Sequence, residues 1–191
     1  MIYALNGKIA LKQQNFFVID VGGVSLKVFS SENNLKNIPI SQNTIKIFTY
    51  LHVREDALEL YGFISEEELG LFESLISISG IGPKSALSVL SLGKIDQIIA
   101  AINEGRTELL TRASGIGKKT SERIILELKG KLTIIKSAHI LNLMESDLEL
   151  EETLISLGYS RMEAKSAINA INPKITGFKE RLKEALKNKK N

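Results

Sequence analysis

Two short stretches carry residue types that could do chemistry on an anion. They are Gly80-Ile81-Gly82-Pro83-Lys84 and, 35 residues later (80 to 115), Gly115-Ile116-Gly117-Lys118-Lys119-Thr120. In each, apolar helix-compatible residues precede a Gly-Ile-Gly turn and a helical run follows it, so the pattern predicts helix, tight hairpin, helix. Glycine takes positive φ without Cβ strain and lets another backbone come close. The isoleucine between the glycines is placed to plug the hairpin into a core. A helix starts directly after the second glycine, and its first backbone N–H groups have no partner inside the helix and carry the positive end of its dipole. Pro83 suits the first helical position, where its missing N–H costs nothing. Lys84, Lys118 and Lys119 add cations beside the same points, so a phosphate would be held by charge with no base read.

A single Gly-x-Gly between helices is explained equally well as a plain interhelical turn. Two copies with lysine at the same offset ask for more, since a turn does not require the lysine. The repeated motif resembles the helix-hairpin-helix of sequence-independent DNA-binding proteins. On that reading the DNA-binding residues are Gly80, Gly82, Lys84, Gly115, Gly117, Lys118, Lys119, Thr120 and Arg123. A nucleotide-binding P-loop does not fit: Gly117-Lys118 is followed by Lys119 instead of Ser or Thr, and Arg112 stands where the earlier glycine belongs.

Composition narrows the remaining classes. The 191 residues are 43% hydrophobic, enough for one large or two to three small domains. With no cysteine and only His52 and His139, neither a disulfide framework nor a metal site is expected. No cofactor is implied either. No apolar run approaches the ~20 residues of a membrane span and the N-terminus lacks a signal-peptide layout, so the expectation is a cytoplasmic protein without membrane contact. The net charge of +3 is a poor guide to DNA binding: residues 1–130 hold 14 basic and 14 acidic side chains, and the whole excess lies beyond them. A DNA surface in the first 130 residues must segregate its cations on one face.

The elements that would position these residues read as follows. Ile2–Leu11, Phe16–Val21, Ser25–Phe29, Thr44–Leu51 and Leu58–Phe63 are rich in β-branched and aromatic residues, with Gly22-Gly23 and Asn33-Asn34 as turns and no helix strong enough to interrupt them. Five short strands favour a small barrel of the oligonucleotide-binding type. Arg54-Glu55-Asp56 falls at a hairpin tip, where a solvated polar turn is the plain reading. Ser65 with Glu68 forms a capping box that opens the helical region. Helices are expected over Lys84–Leu92, Ile95–Asn103, Glu108–Ala113 and Lys118–Leu128, and the helix between the hairpins lets them pack as a pseudo-twofold pair. The fold expected is α+β and multidomain: a barrel over residues 1–63, a tandem hairpin domain over 64–130, an apolar connector over 131–146 and a three-helix unit over 147–191. In that last unit the helices are Asp147–Leu157, Ser160–Ile171 and Phe178–Lys187, and Leu157-Gly158-Tyr159 resembles the loop of ubiquitin-associated-type domains. So small a unit suggests apolar surface used by a partner, with Leu154, Leu157, Tyr159 and Leu186 as candidates, at least half of which are expected simply to fill the three-helix core.

Three features in this order, His52-Val53-Arg54-Glu55-Asp56-Ala57 with Leu60-Tyr61-Gly62-Phe63, the paired hairpins and the small C-terminal unit, resemble over the whole chain the RuvA family of bacterial Holliday junction branch-migration proteins. The resemblance implies a homotetramer, one or two to a junction, that holds four-way DNA open and roughly planar. It places Arg54, Glu55 and Asp56 as an acidic pin at the crossover. It implies that the C-terminal unit contacts the hexameric ATPase RuvB, that the resolvase RuvC visits the complex, and that this subunit does no chemistry itself. Departures from the family pattern are the apolar connector and the serines Ser79 and Ser114 before the turns. Two other classes stay open on the residues alone: a general duplex-binding module, and a DNA-repair enzyme subunit, which would need a catalytic carboxylate.

Overall fold

The computed structural model describes residues 1–40, 43–132, 137–172, 175 and 177–187, without the side chains of 137–145. The chain divides into two units, Met1–Ile135 and Lys136–Asn191.

The first unit opens with β1 (Ala4–Lys12), β2 (Phe16–Val21) and β3 (Val24–Phe29), continues through α1 (Glu32–Asn37), and adds β4 (Ile45–Val53) and β5 (Leu58–Phe63). The strands close into a barrel in the order β1-β2-β3-β5-β4. Only β3 and β5 run parallel, through Val28 opposite Leu60 and Phe29 opposite Tyr61. Alternation sends Leu5, Ile9, Phe17, Ile19, Val28, Ile47 and Leu60 inward, where all are buried.

The helix α1 corrects the sequence reading, which placed a turn at Asn33-Asn34 and no helix among the strands. Ser31 caps it, its hydroxyl accepting from the Asn34 N–H at 3.2 Å, with Glu32 in the first turn and Lys36 in the last. Six residues are too few to show a helical period, and tertiary contacts carry the segment: Leu35 and Ile38 enter the barrel core.

Helices α2 (Glu66–Ile76), α3 (Pro83–Leu90), α4 (Ile95–Asn103), α5 (Thr107–Leu110) and α6 (Lys118–Leu128) complete the first unit. Here α3 ends two residues sooner than expected and α5 is a single turn. The Ser65 hydroxyl accepts from Glu68 N–H at 3.2 Å, but the Glu68 carboxylate reaches back to Ile64 N–H, 3.3 Å away, instead of to Ser65. Burial pushes the Glu68 carboxyl up from its ordinary value.

Barrel and helices share a core. On β5 the side chains alternate, so Leu60 faces the barrel while Tyr61 and Phe63 face the helices. Phe72 of α2 meets them, its ring 5.5 Å from Tyr61, 4.8 Å from Phe63 and 5.5 Å from Tyr50. At the far end of α3, the Asn33 amide donates to the carbonyls of Leu90 (3.1 Å) and Gly93 (2.7 Å), and Glu32 N–H donates to the Ser91 hydroxyl.

The second unit contains α7 (Ser137–Ser156), α8 (Arg161–Asn169) and α9 (Phe178–Lys187). The helix α7 starts ten residues before the expected Asp147, taking in part of the stretch read as a connector; residues 133–136 lie outside the described ones. Gly158, at φ 90°, ends α7, and Ser160 with Glu163 forms the capping box expected at the start of α8. Leu150, Leu154, Tyr159, Ala164, Ile171 and Ala185 make the core. Arg181, 5% exposed, pairs with Asp147 and donates to the Ile175 carbonyl at 3.1 Å.

Replacing Phe72 with alanine should cost about 3–5 kcal/mol, the usual range for a fully buried phenylalanine. Because the aromatic cluster belongs to barrel and helices alike, circular dichroism and tyrosine fluorescence should follow one earlier transition in denaturant; loss of the helical signal alone would contradict a shared core.

Candidate nucleic-acid interface

The two hairpins are built alike. Gly80 and Gly115 take φ of 90° and 80°, and the next residue's N–H closes the turn on a carbonyl three back: Ile81 onto Ile78 at 3.0 Å, Ile116 onto Ala113 at 3.1 Å. Ile81 and Ile116 are buried in the helical core, as the sequence required. Gly82 and Gly117 are extended and serve as the N-caps of α3 and α6. A glycine cap brings no side-chain acceptor, so the first amides, from Lys84 in α3 (Pro83 has none) and from Lys118 in α6, lack a capping side-chain hydrogen bond. Lys84, Lys118 and Lys119 are exposed beside those amides and Thr120 is half-buried.

Reciprocal contacts join the pair. Six positions beyond each glycine cap (82 to 88, 117 to 123), one side chain crosses to the other hairpin. The Ser88 hydroxyl accepts from Ser114 N–H at 2.7 Å, and the Arg123 guanidinium donates to the Ser79 carbonyl at 2.6 Å. Arg123, expected as a DNA contact, therefore has a structural partner, although the residue is exposed. Ser79 and Ser114 act here through their backbones, so the serine side chains that depart from the family pattern are not what these contacts use.

The acidic tip lies between β4 and β5. Arg54 N–H donates to the Ala57 carbonyl at 2.8 Å, closing the turn, and the Arg54 side chain pairs with Asp56 at 3.1 Å. Glu55 is exposed. With Asp56 offset by Arg54, the net negative charge of the tip comes down to Glu55, which motif reading alone did not reveal. Val53 and Leu58, paired across the hairpin just below the tip, are 64% and 73% exposed.

Below them the outer face of β4–β5 turns toward hairpin one. His52 stands opposite Glu59, and Tyr50 opposite Tyr61. Tyr61 donates to the Glu59 carboxylate at 2.6 Å; burial first, and then that bond, push its phenol above the usual range. A cleft of about 390 Å³ separates this face from Gly82, Pro83, Lys84 and Ser85.

In the second unit the candidate partner residues separate. Leu154 is fully buried and Tyr159 is 9% exposed, which removes both from a preformed docking surface: they fill the three-helix core. Leu157 (56%) and Leu186 (38%) are exposed, together with Met162, which the sequence reading passed over.

Fold and site together define a class: an oligonucleotide-binding-type barrel joined to a tandem helix-hairpin-helix domain. Residues 1–62 match the family described as RuvA N terminal domain, 72–131 the SAM-like helix-hairpin-helix tandem, and 149–188 the RuvA, C-terminal domain. The chain is 42% identical over 191 residues to a protein of Caldanaerobacter subterraneus subsp. tengcongensis, 44% over 187 residues to one of Thermoanaerobacter pseudethanolicus, and 40% over 196 residues to one of Neisseria meningitidis. Each alignment covers 98% of both chains, and each relative is named Holliday junction branch migration complex subunit RuvA. The chain belongs to the RuvA family.

Alanine at position 80 or 115 should cost about 1–2 kcal/mol for the left-handed backbone alone. A Cβ at 115 would also lie 2.7 Å from the Ser85 hydroxyl, while one at 80 meets nothing closer than 3.8 Å. Denaturant titration should show Gly115→Ala as the more costly, with the excess gone in a Ser85→Ala background; equal costs in both backgrounds would mean the hairpins do not press on α3 as described.

Proposed function

We propose that this chain binds four-way (Holliday) DNA junctions without reading sequence, holds them open, and presents them to a motor. The observation carrying this reading is the pair of glycine-capped helix N-termini, cross-braced by Ser88 and Arg123 and fixed through a shared aromatic core to a barrel whose hairpin ends in an acidic tip. The relatives' shared name points the same way.

In this reading residues 1–63 supply the barrel and pin and 64–130 grip the arms. Gly80, Gly82, Lys84, Gly115, Gly117, Lys118, Lys119, Thr120 and Arg123 face the phosphates. Residues 131–146 connect to 147–191, whose exposed Leu157 and Leu186 meet the RuvB ATPase. The subunit performs no catalysis; ATP hydrolysis lies in RuvB, and RuvC reaches the junction on the same scaffold. Four copies in one tetramer, or eight in two tetramers facing each other, surround the crossover in the cytoplasm.

Symmetry makes the tip selective. Four copies bring four Arg54-Glu55-Asp56 tips to one centre, each with net charge near −1. At ~10 Å a pair of like charges repels by about 0.4 kcal/mol in water and about 1.7 kcal/mol at an effective dielectric near 20. A duplex laid across the centre meets that repulsion repeatedly, whereas an open junction sends its phosphates outward.

Glu55→Gln with Asp56→Asn should therefore tighten linear-duplex binding, leave junction affinity in place and lower the ratio between them, measured side by side at one salt concentration. An unchanged ratio would return the tip to an ordinary polar turn. If wild type bound duplex and junction equally, a general duplex module would be the better reading; cleavage of either DNA would indicate a repair enzyme subunit. A chain ending at residue 140 should keep junction binding and lose stimulation by RuvB, and loss of junction binding in that chain would overturn the division of labour.

A further inference from the structure

We infer that the cleft between the β4–β5 hairpin and the start of α3 receives one unpaired nucleotide at the crossover. Its base would lie against His52 and its exocyclic amino group would donate to Glu59. This deepens the proposed function and rests on it.

The position comes from the strand register. His52 and Glu59 are direct cross-strand partners, two positions out on the same face from the Tyr50–Tyr61 pair that anchors the hairpin against Phe72, and one position in from Val53–Leu58 beneath the tip. A strand parted at the tip meets this face first. The cleft, about 390 Å³, lies within the range of sites that take a small ligand and suits one nucleotide.

The lining suits both halves of such a guest. The His52 ring is part-exposed and stands edge-on to Tyr61 (centroids 6.4 Å, 76°), an aromatic surface of the kind on which any base can stack. Glu59 keeps acceptor capacity beyond the one hydrogen bond from Tyr61, because an ionised carboxylate offers about four lone-pair sites. Across the cleft Lys84 stands beside the first free amides of α3, where the nucleotide's own phosphate would sit. An acceptor placed for an exocyclic amino group prefers cytosine, adenine or guanine over thymine, whose one donor is the ring N3–H.

The functional consequence is a shelter for a base between two pairings. Exchanging partners requires a base to leave one stack before joining the next, and that unstacking is costly. A stacking surface beside the tip lowers the cost without reading sequence beyond amino group against none.

The test uses the full chain and three immobile four-way junctions that differ in one unpaired crossover position: cytosine, thymine or an abasic sugar. Wild type should bind cytosine most tightly, thymine less, and the abasic junction at least fivefold more weakly. His52→Ala should compress the cytosine-to-abasic difference below twofold. The near-isosteric Glu59→Gln, which keeps the fold if His52→Ala does not, should remove the preference of cytosine over thymine while retaining that of cytosine over abasic. Equal binding of all three junctions by wild type, or undiminished differences in both variants, overturns the inference. A fully paired junction against linear duplex is measured in parallel. Preference for the junction together with indifference to the unpaired base sinks this inference alone, whereas no preference for the junction sinks the proposed function beneath it.

Discussion

The amides that open α3 and α6 must find acceptors outside their own helices, and glycine at both caps ensures that no side chain of the cap supplies one. Such a helix end left to water is tolerable; left beside lysines, it suits an anion. The positive-φ glycines at 80 and 115, the buried isoleucines and the short turns all serve to bring a helix N-terminus to the surface while its flank stays in the core. In the proposed reading the contact is one of backbone and charge, which suits any sequence of DNA.

An anion site becomes a device for handling DNA geometry only when its position relative to other groups is fixed. Hairpin one is held to the barrel at both ends, by Phe72 among Tyr50, Tyr61 and Phe63, and by the Asn33 amide on the last carbonyls around α3. Hairpin two is held to hairpin one through Ser88 and Arg123. The β5 strand completes the path, since it carries the tip at one end and contributes side chains to both cores. Displacement of the tip against the hairpins would have to break packed aromatic contacts, and densely packed interiors resist that.

Much of this was legible in the residues. Glycine spacing specified the hairpins because few other residues take those backbone angles. Alternation specified the strands, and the Ser160–Glu163 pair specified a helix start. Short elements held by tertiary contacts were not legible: α1 has no period to read, and the reach of Asn33 to α3 spans 57 residues. Nor does an apolar residue announce which side of a small domain it faces: of the four partner candidates, at least half were expected to fill the core, with nothing in the residues to say which, and Leu154 and Tyr159 are those, while Met162 was missed on the surface. The Arg54–Asp56 pair was hidden for another reason: charge counting treats neighbours as independent, and a tight turn does not.

The central claim is that the exposed lysines beside the two glycine-capped helix ends, with the amides they flank, hold DNA by its phosphates alone. The most direct measurement is the salt dependence of binding to linear duplex arms for wild type and for Lys118→Ala with Lys119→Ala. The slope of log affinity against log salt should fall in magnitude by about 0.9 for each phosphate contact removed. The fall should be the same on duplexes of unrelated sequence. A slope that does not change would show that these lysines are ordinary surface residues and that the affinity lies elsewhere.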